Sequence, residues 1–361
     1  MSLYRKYRPL TFAAIAGQGH IKRTLENEII RDELAHAYIF SGPRAVGKTS
    51  TARVFARALN CSTRVAEQSE PCNSCDRCTA ILQNRTLDII EIDAASHTGV
   101  DNVRENIIAA ARVAKTMLPY KVFIIDEVHM LSTSAFNALL KLLEEPPSSV
   151  IFILATTEIQ KVPATIISRC QRFDFMRITP ADMKARLMMI VKQEEKTLDE
   201  SVYDDIIRLS DGCQRDAESL LGQILALHDT KIDAQLASLV LPHSNRQLIA
   251  KLLDAIAARK TDEAISLIDA MIADGVDIET VVNDTIEDLR SLLRIQSGAG
   301  DTVQEAKSVR ESLEELSKKL SSLEVLMIAD YFAQCLQDIR LFAHIQLPFE
   351  IAVVKSCLRA Q

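Results

Sequence analysis

Residues 35–49, AHAYIFSGPRAVGKT, decide the fold. An apolar run from Ala37 to Phe40 leads into Gly42-Pro43-Arg44-Ala45-Val46-Gly47-Lys48-Thr49, and a helical pattern, TSTARVFARALN (49–60), follows. Those eight residues satisfy GxxxxGK[ST] at the strand-to-helix junction where that pattern has meaning. Gly42 and Gly47 allow backbone N–H groups to turn toward phosphate, and the helix N-terminus adds positive partial charge. Lys48 is then expected to reach the β and γ phosphates of ATP. The Thr49 hydroxyl is expected to coordinate Mg2+, with Ser50 beside it in the same helical turn.

Outward from this stretch, LDIIEID (87–93), KVFIIDE (121–127), VIFILATT (150–157) and QRFDF (171–175) are further apolar runs, rich in Ile, Val and Phe. Together they predict the buried strands of a parallel sheet, each followed by a helix, so the first half is α/β with its ligands at the strand C-terminal ends. The run 122–127 closes in two carboxylates, as a Walker B strand does. Asp126 is placed to hold the metal through water, and Glu127 to polarise the attacking water as general base. These elements imply a P-loop ATPase without saying what its energy drives.

The chain has 361 residues, 25% of them charged, and a net charge of -7, which excludes a disordered chain and a simple basic nucleic-acid binder. The charge is unevenly spread. Residues 1–60 carry ten Lys/Arg against four Asp/Glu, a local +6, so the other 301 residues carry -13 and a polyanion ligand is still admitted at the N-terminal end. No run of about 18 apolar residues occurs, and MSLYRKYRPLTF lacks a signal-peptide core, so a soluble cytoplasmic protein without membrane contact is expected.

Four of the eight cysteines, Cys61, Cys72, Cys75 and Cys78, lie within eighteen residues, while Cys170, Cys213, Cys335 and Cys357 stand alone. Four thiolates at this spacing suit a tetrahedral S4 site for Zn2+. With all four positions filled by protein, the metal would be structural. A redox CxxC pair is the rival reading, disfavoured by the two further cysteines, and an iron–sulfur cluster uses the same ligand type. The intervening STRVAEQSEP is too poor in basic and aromatic residues for a DNA-reading finger.

From Pro180 the periodicity becomes helical. Segments 181–196, 200–210 and 214–228 predict three amphipathic helices. An all-helical stretch follows Pro242, with helices near 245–258, 261–273, 278–296, 303–319 and 322–342 and a loop at SGAGD (297–301).

Taken in order, KYRPLTFAAIAGQ (6–18), HAYIFSGPRAVGKTS, the cysteine insert, EIDAAS (91–96), IIDEVHMLSTSAFNALLKLLEEPP (124–147), LATTE (154–158), SRC (168–170) and RDAESL (215–220) resemble the bacterial DNA polymerase III clamp-loader motor subunits, gamma/tau, within the AAA+ ATPases. The likeness is dense over about 3–228 and thinner beyond. It implies a RecA-like ATPase domain over 1–178 with a zinc module at 61–78, a three-helix lid over 179–241, and a helical collar over 242–361. The long tail of the tau form is not expected within these residues. By motif, Thr157 corresponds to sensor 1, Arg215 to sensor 2, and Arg169 to an arginine finger acting in trans on a neighbour's ATP. Tyr7, Arg8 and Pro9 fall where the family encloses adenine, and Arg104 and Thr165 are candidate contacts to the DNA backbone. Gly99, with His97 before it, stands where a basic residue often occurs, and Gln214 replaces an apolar residue before Arg215.

The implied function is ATP-driven loading of the sliding clamp onto primer-template DNA, within a multi-subunit ring that includes delta and delta-prime type partners of the polymerase III holoenzyme. Two other classes compete: a non-hydrolysing stator-like scaffold, against which the intact Lys48, Thr49, Asp126 and Glu127 argue, and another AAA+ DNA-remodelling ATPase, against which the cysteine insert and EEPP argue.

Overall fold

Alternate residues of each central strand enter different cores. Ala37 and Ile39 of β1 (Ala37–Ser41), Phe123 and Ile125 of β3 (Lys121–Asp126) and Phe152 and Leu154 of β4 (Val150–Thr156) face one layer of helices. Tyr38, Phe40, Val122, Ile124, Ile151 and Ile153 face the other. Burial on both faces is why these strands read as continuous apolar runs. With β2 (Ile89–Asp93) and β5 (Gln171–Asp174) they form one parallel sheet in the order β2-β3-β4-β1-β5. This is the expected α/β architecture, and all five strands coincide with the predicted runs.

The computed structural model describes residues 2–65, 67–96, 99, 104–227, 230–240, 246–273, 275–299, 307–339, 341 and 344–358. They divide into two compact units, Met1–Ile232 and Asp233–Gln361. His97, Thr98 and the side chain of Arg104 lie outside the described residues, so the candidate DNA contact at Arg104 has no structural account.

In the first unit α1 (Gly19–Arg31) and α2 (Lys48–Asn60) cover one face of the sheet through Ile21, Leu25, Ile29, Val54 and Phe55. The short α3 (Asp76–Leu82) belongs to the cysteine insert, and α4 (Thr133–Glu144) covers the opposite face with Phe136, Leu139 and Leu143. The N-cap of α4 is Ser132, whose hydroxyl accepts from the Ala135 N–H.

The three expected lid helices are α5 (Pro180–Gln193), α6 (Glu200–Ser210) and α7 (Gln214–Leu225). Thr179 caps α5, with Pro180 in its first turn. Asp211 and Gly212, both at positive φ, make the turn between α6 and α7. The sequence did not announce the small parallel ladder of β6 (Thr197–Leu198) with β7 (Lys231–Ile232), because two-residue strands carry no readable period.

The second unit is helical: α8 (Arg246–Ala257), α9 (Thr261–Ala273), α10 (Ile278–Gln296), α11 (Lys307–Lys319), α12 (Ser322–Ile339) and α13 (Gln346–Leu358). The first four and α12 follow the expected helices, apart from residues 245, 303–306, 340 and 342, which lie outside the described residues, as do residues 300–301 of the expected loop. Helix α13 was not expected. Its Pro348 in the first turn and its buried Phe349, Ala352, Val353, Ser356 and Cys357 blur the helical stripe, and Phe349 packs edge-on against Phe332 of α12, 6.2 Å between ring centres.

Candidate active site

The C-terminal ends of β1 and β3 open into a cavity of about 420 Å³, within the range of small-molecule sites. Its floor is the loop from Arg44 to Ser50, and Asp126 and Glu127 line one side. Gly42 has φ +147, and a Cβ there would lie 2.3 Å from the Phe175 carbonyl oxygen, so only glycine lets the loop leave β1 beside β5. Gly47, φ +104, is the N-cap of α2 and brings no capping side chain. The N–H groups of Lys48, Thr49 and Ser50 therefore have no intrahelical acceptor, which is the arrangement that binds anions.

Lys48 is buried, and its Nζ donates to the carbonyls of Gly42 and Pro43, both at 2.6 Å. Burial pushes its ammonium below the usual lysine range, opposed by the charges of Glu127 and Asp126. A buried cation held by neutral carbonyls gains strongly when an anion enters. The Thr49 hydroxyl donates to Asp126 Oδ2 at 2.7 Å, bringing the two candidate metal ligands together. One hydroxyl and one carboxylate form a sparse, all-oxygen donor set, which fits Mg2+ carrying water and phosphate ligands.

Glu127 has φ +48, and this left-handed turn carries its carboxylate toward β4. Its Oε2 accepts from the Thr157 hydroxyl at 3.0 Å and from the Thr157 N–H at 3.3 Å. His129, buried, shares its Nδ1 with Thr156 Oγ1 at 3.0 Å and lies 3.3–3.4 Å from carboxylate oxygens of Glu127 and Glu158. The predicted base and sensor 1 positions thus meet through a hydrogen bond. His129 was not singled out from the sequence, where it is one polar residue in an apolar turn.

Arg215 at the start of α7 lines the cavity, its guanidinium 5.6 Å from the Tyr4 ring centre. Arg8 and Pro9 line it as well, but Tyr7 is not among the lining residues: its hydroxyl donates to Glu194 Oε1 at 2.7 Å, and Tyr4 contributes the aromatic ring to the wall. Arg169 lies away from the cavity. Its Nη2 donates to Glu144 Oε1 at 2.5 Å and its Nη1 to the Thr165 carbonyl at 2.6 Å, so it sits at the end of α4 beside EEPP. Thr165 is exposed.

The sequence reading also missed Arg186 and Glu218, which line the lid side of the cavity as a buried pair, Nε to Oε1 3.2 Å. A signal was available: Arg186 interrupts the apolar stripe Met183, Leu187, Ile190 of α5, and Glu218 that of Ala217, Leu221, Ile224 on α7.

In the insert, the sulfurs of Cys61, Cys72, Cys75 and Cys78 lie within 4.8 Å of one another. The Cys72 and Cys78 sulfurs are 3.9 Å apart, close to the ~3.8 Å that tetrahedral Zn–S bonds of about 2.3 Å require. Cys72 Sγ accepts from the N–H groups of Ser74 and Cys75 at 3.4 and 3.2 Å. A Thr63 hydroxyl, then these N–H groups, lower the Cys72 thiol to about 5, the direction that favours metal ligation. Burial holds Cys78 above the usual thiol range. The donor set fits a structural metal.

Among known proteins, residues 17–179 match the family model described as "DNA polymerase III, delta subunit" and residues 232–361 that of "DNA polymerase III subunits gamma and tau domain III". The chain is 41% identical over 357 residues to DNA polymerase III subunit tau of Bacillus subtilis, covering 99% of this chain and 63% of the relative. It is 36% identical over 323 residues to subunit tau of Escherichia coli, covering 90% of this chain and 50% of that one. It therefore spans roughly half to two-thirds of the length of these relatives. Among solved structures, the RuvB Holliday junction branch migration motor of Thermotoga maritima aligns with TM-score 0.50 and 18% identity over 76% of this chain and 87% of that one, a likeness of fold. With 41% identity spanning 99% of its length to a tau subunit, and a gamma and tau domain model matching its residues 232–361, the chain belongs to the DNA polymerase III gamma/tau family.

Proposed function

We propose that this chain is an ATP-driven motor subunit of a bacterial clamp loader, hydrolysing ATP within a multi-subunit ring to place a sliding clamp on primer-template DNA. The observation that carries the reading is the meeting of Lys48, Thr49, Asp126 and Glu127 around one cavity at the ends of β1 and β3. A stator-like scaffold has no use for a buried lysine, an uncapped helix and a carboxylate base at one point.

In this reading Gly42, Gly47 and the first N–H groups of α2 cradle the phosphates, with Lys48 between the β and γ groups, Ser50 beside them, and Arg8 and Pro9, with Tyr4 in place of the expected Tyr7, marking the base end. Thr49 and Asp126 would hold Mg2+, which supplies neutralisation of phosphate charge. Glu127 takes the proton of the attacking water, whose oxygen bonds to the γ phosphorus as the bond to ADP breaks. Thr157 holds Glu127 until the γ-phosphate competes for its hydroxyl. Arg215 reports lid position to its own subunit's nucleotide, and Arg169 offers its charge to a neighbour's. Its station on Glu144, outside its own cavity, supports a role in trans. Cys61, Cys72, Cys75 and Cys78 would hold Zn2+ as a closed, structural site.

The domain division is proposed as 1–178, 179–241 and 242–361, the last a collar in a ring with delta and delta-prime type subunits. Large apolar residues left in water on α12 and α13, among them Leu323, Leu326 and Leu358, support such an assembly. DNA would be held mainly through its phosphates, so binding should weaken with salt and show little sequence preference. A cytoplasmic location follows from this role; no described helix is long and apolar enough to cross a membrane.

The test is a pair of variants. Lys48→Ala should abolish ATP binding. Arg169→Ala should keep binding and lose the hydrolysis stimulated by DNA and clamp in the full assembly. Equal loss of turnover in the isolated Arg169→Ala chain and in the assembly would refute action in trans.

A further inference from the structure

The cysteine insert reaches the nucleotide cavity through one stretch of backbone. Arg8 and Pro9 at the front of that stretch line the cavity, and so do Ile15 and Ala16 at its rear. Between them the insert grips the chain. Glu70 accepts the Phe12 N–H on Oε2 at 2.7 Å and the Ala13 N–H on Oε1 at 2.8 Å. Asn73 Nδ2 donates to the Leu10 carbonyl at 3.1 Å, and Arg57 of α2 donates to the same oxygen at 2.8 Å.

The two gripping residues flank Cys72 in the chain. Glu70 lies two residues before Cys72, and Asn73 lies just after it, at φ +58. The N–H groups of the next two residues, Ser74 and Cys75, point at Cys72 Sγ. The direction of the Asn73 side chain is therefore tied to the turn that presents the thiolates. Phe12, fully buried in the core that includes Val54 and Phe55 of α2, anchors the stretch as well.

We propose that the insert is a positioning element for nucleotide: Glu70 and Asn73, held by the metal-bound knuckle, keep Leu10–Ala13 in place so that both flanks of the stretch form the cavity wall. The inference rests on the reading of the cavity as an ATP site and of the thiols as a metal centre. When the knuckle loosens, ordering of the stretch falls on the binding step and affinity drops. Lys48, Asp126 and Glu127 stand on other elements, so turnover at saturating ATP is spared.

The experiment titrates the full chain with a fluorescent ATP analogue and assays zinc content in parallel. Glu70→Ala removes two charge-assisted hydrogen bonds and should raise Kd roughly five- to tenfold with zinc retained. Glu70→Gln, which keeps one acceptor oxygen, should fall between, and Asn73→Gly, which tolerates the positive φ, should give a smaller rise; these two carry the test if Glu70→Ala folds poorly. Removing zinc from the wild type with a chelator should raise Kd at least as much, and removing it from Glu70→Ala should add little more. An unchanged Kd in Glu70→Ala, or zinc and Glu70 effects that multiply, overturns the coupling. Loss of zinc from Glu70→Ala would reverse its direction and overturn it too. Failure of the folded wild type to bind the analogue would instead overturn the nucleotide reading, and the proposal with it.

Discussion

Replacing Arg186 by methionine tests how α5 and α7 are held together beside the cavity. The Arg186 and Glu218 side chains are 7% and 6% exposed, with Nε to Oε1 at 3.2 Å. Arg186 Nη2 also donates to the Tyr7 carbonyl, beside Arg8 and Pro9, and Gln214 Nε2 donates to Glu218 Oε1 at 3.1 Å. Arg186→Met leaves Glu218 buried with one neutral donor, so that it must either carry an unpaired charge or hold a proton, a loss of about 3–5 kcal/mol near neutral pH. For a unit of this size a urea slope near 2.5 kcal/mol per molar turns that into a midpoint about 1–2 M lower.

The loss should depend on pH. Burial pushes the Glu218 carboxyl above the usual carboxylate range, and Arg186 and Gln214 pull it back only in part. Without Arg186 it rises further. Between the unfolded value near 4.3 and the new one, the folded variant binds a proton that the unfolded chain has released, so stability falls as pH rises, by up to about 1.4 kcal/mol per unit. The deficit at pH 5.5 should thus be smaller than at pH 7.5 by up to ~2.7 kcal/mol. Far-UV circular dichroism is the probe, since the chain has no tryptophan. Arg186→Met combined with Glu218→Met should come back to within about 1 kcal/mol of the wild type. The reasoning fails if the single variant's midpoint drops by less than ~0.3 M, if the drop is the same at both pH values, or if the double variant loses the sum of the singles.

Gly42→Ala places a Cβ against the Phe175 carbonyl at φ +147, so the loop must move; affinity for the ATP analogue should fall at least about tenfold while the circular dichroism spectrum is kept, and unchanged affinity would show that the loop conformation does not matter. Asp88, fully buried, accepts from the N–H groups of Thr116, Met117 and Leu118 at 2.7–2.9 Å. Burial raises its carboxyl, but the Met117, Thr116 and Leu118 donors outweigh it and hold it below the usual range, so its stabilisation is present above about pH 4 and is lost as pH falls through the depressed value. Asp88→Asn should cost about 2–4 kcal/mol at pH 7 and flatten the acid limb of stability against pH; an equally steep limb in the variant would count against this account.

Much of the first unit was legible along the chain because its signals are local. Strands buried on both faces must be apolar at every position, and a phosphate loop needs its glycines, lysine and hydroxyl in one turn of backbone. The strand ending in Asp126 and Glu127 and the cluster of cysteines are local in the same sense. The lid helices announced themselves by stripe and cap, as at Thr179 and Pro180. Helix α13 did not, because buried residues around more than one side erase the stripe.

What joins distant residues was not readable. Tyr4 lies in the cavity wall while Tyr7 turns to Glu194, although both sit on one short helical stretch of the chain, since the choice depends on a carboxylate 187 residues away. The station of Arg169 on Glu144, the pairing of Arg186 with Glu218, and the grip of Glu70 on Phe12 and Ala13 are likewise long-range. By itself the sequence determined the parallel α/β core, the helical remainder, and the short motifs whose members lie within a turn or a strand of each other. Tertiary structure alone decided which side chains from separate elements share a cavity or an ion pair, because hydrogen bonds act over about 3 Å in space whatever the separation along the chain.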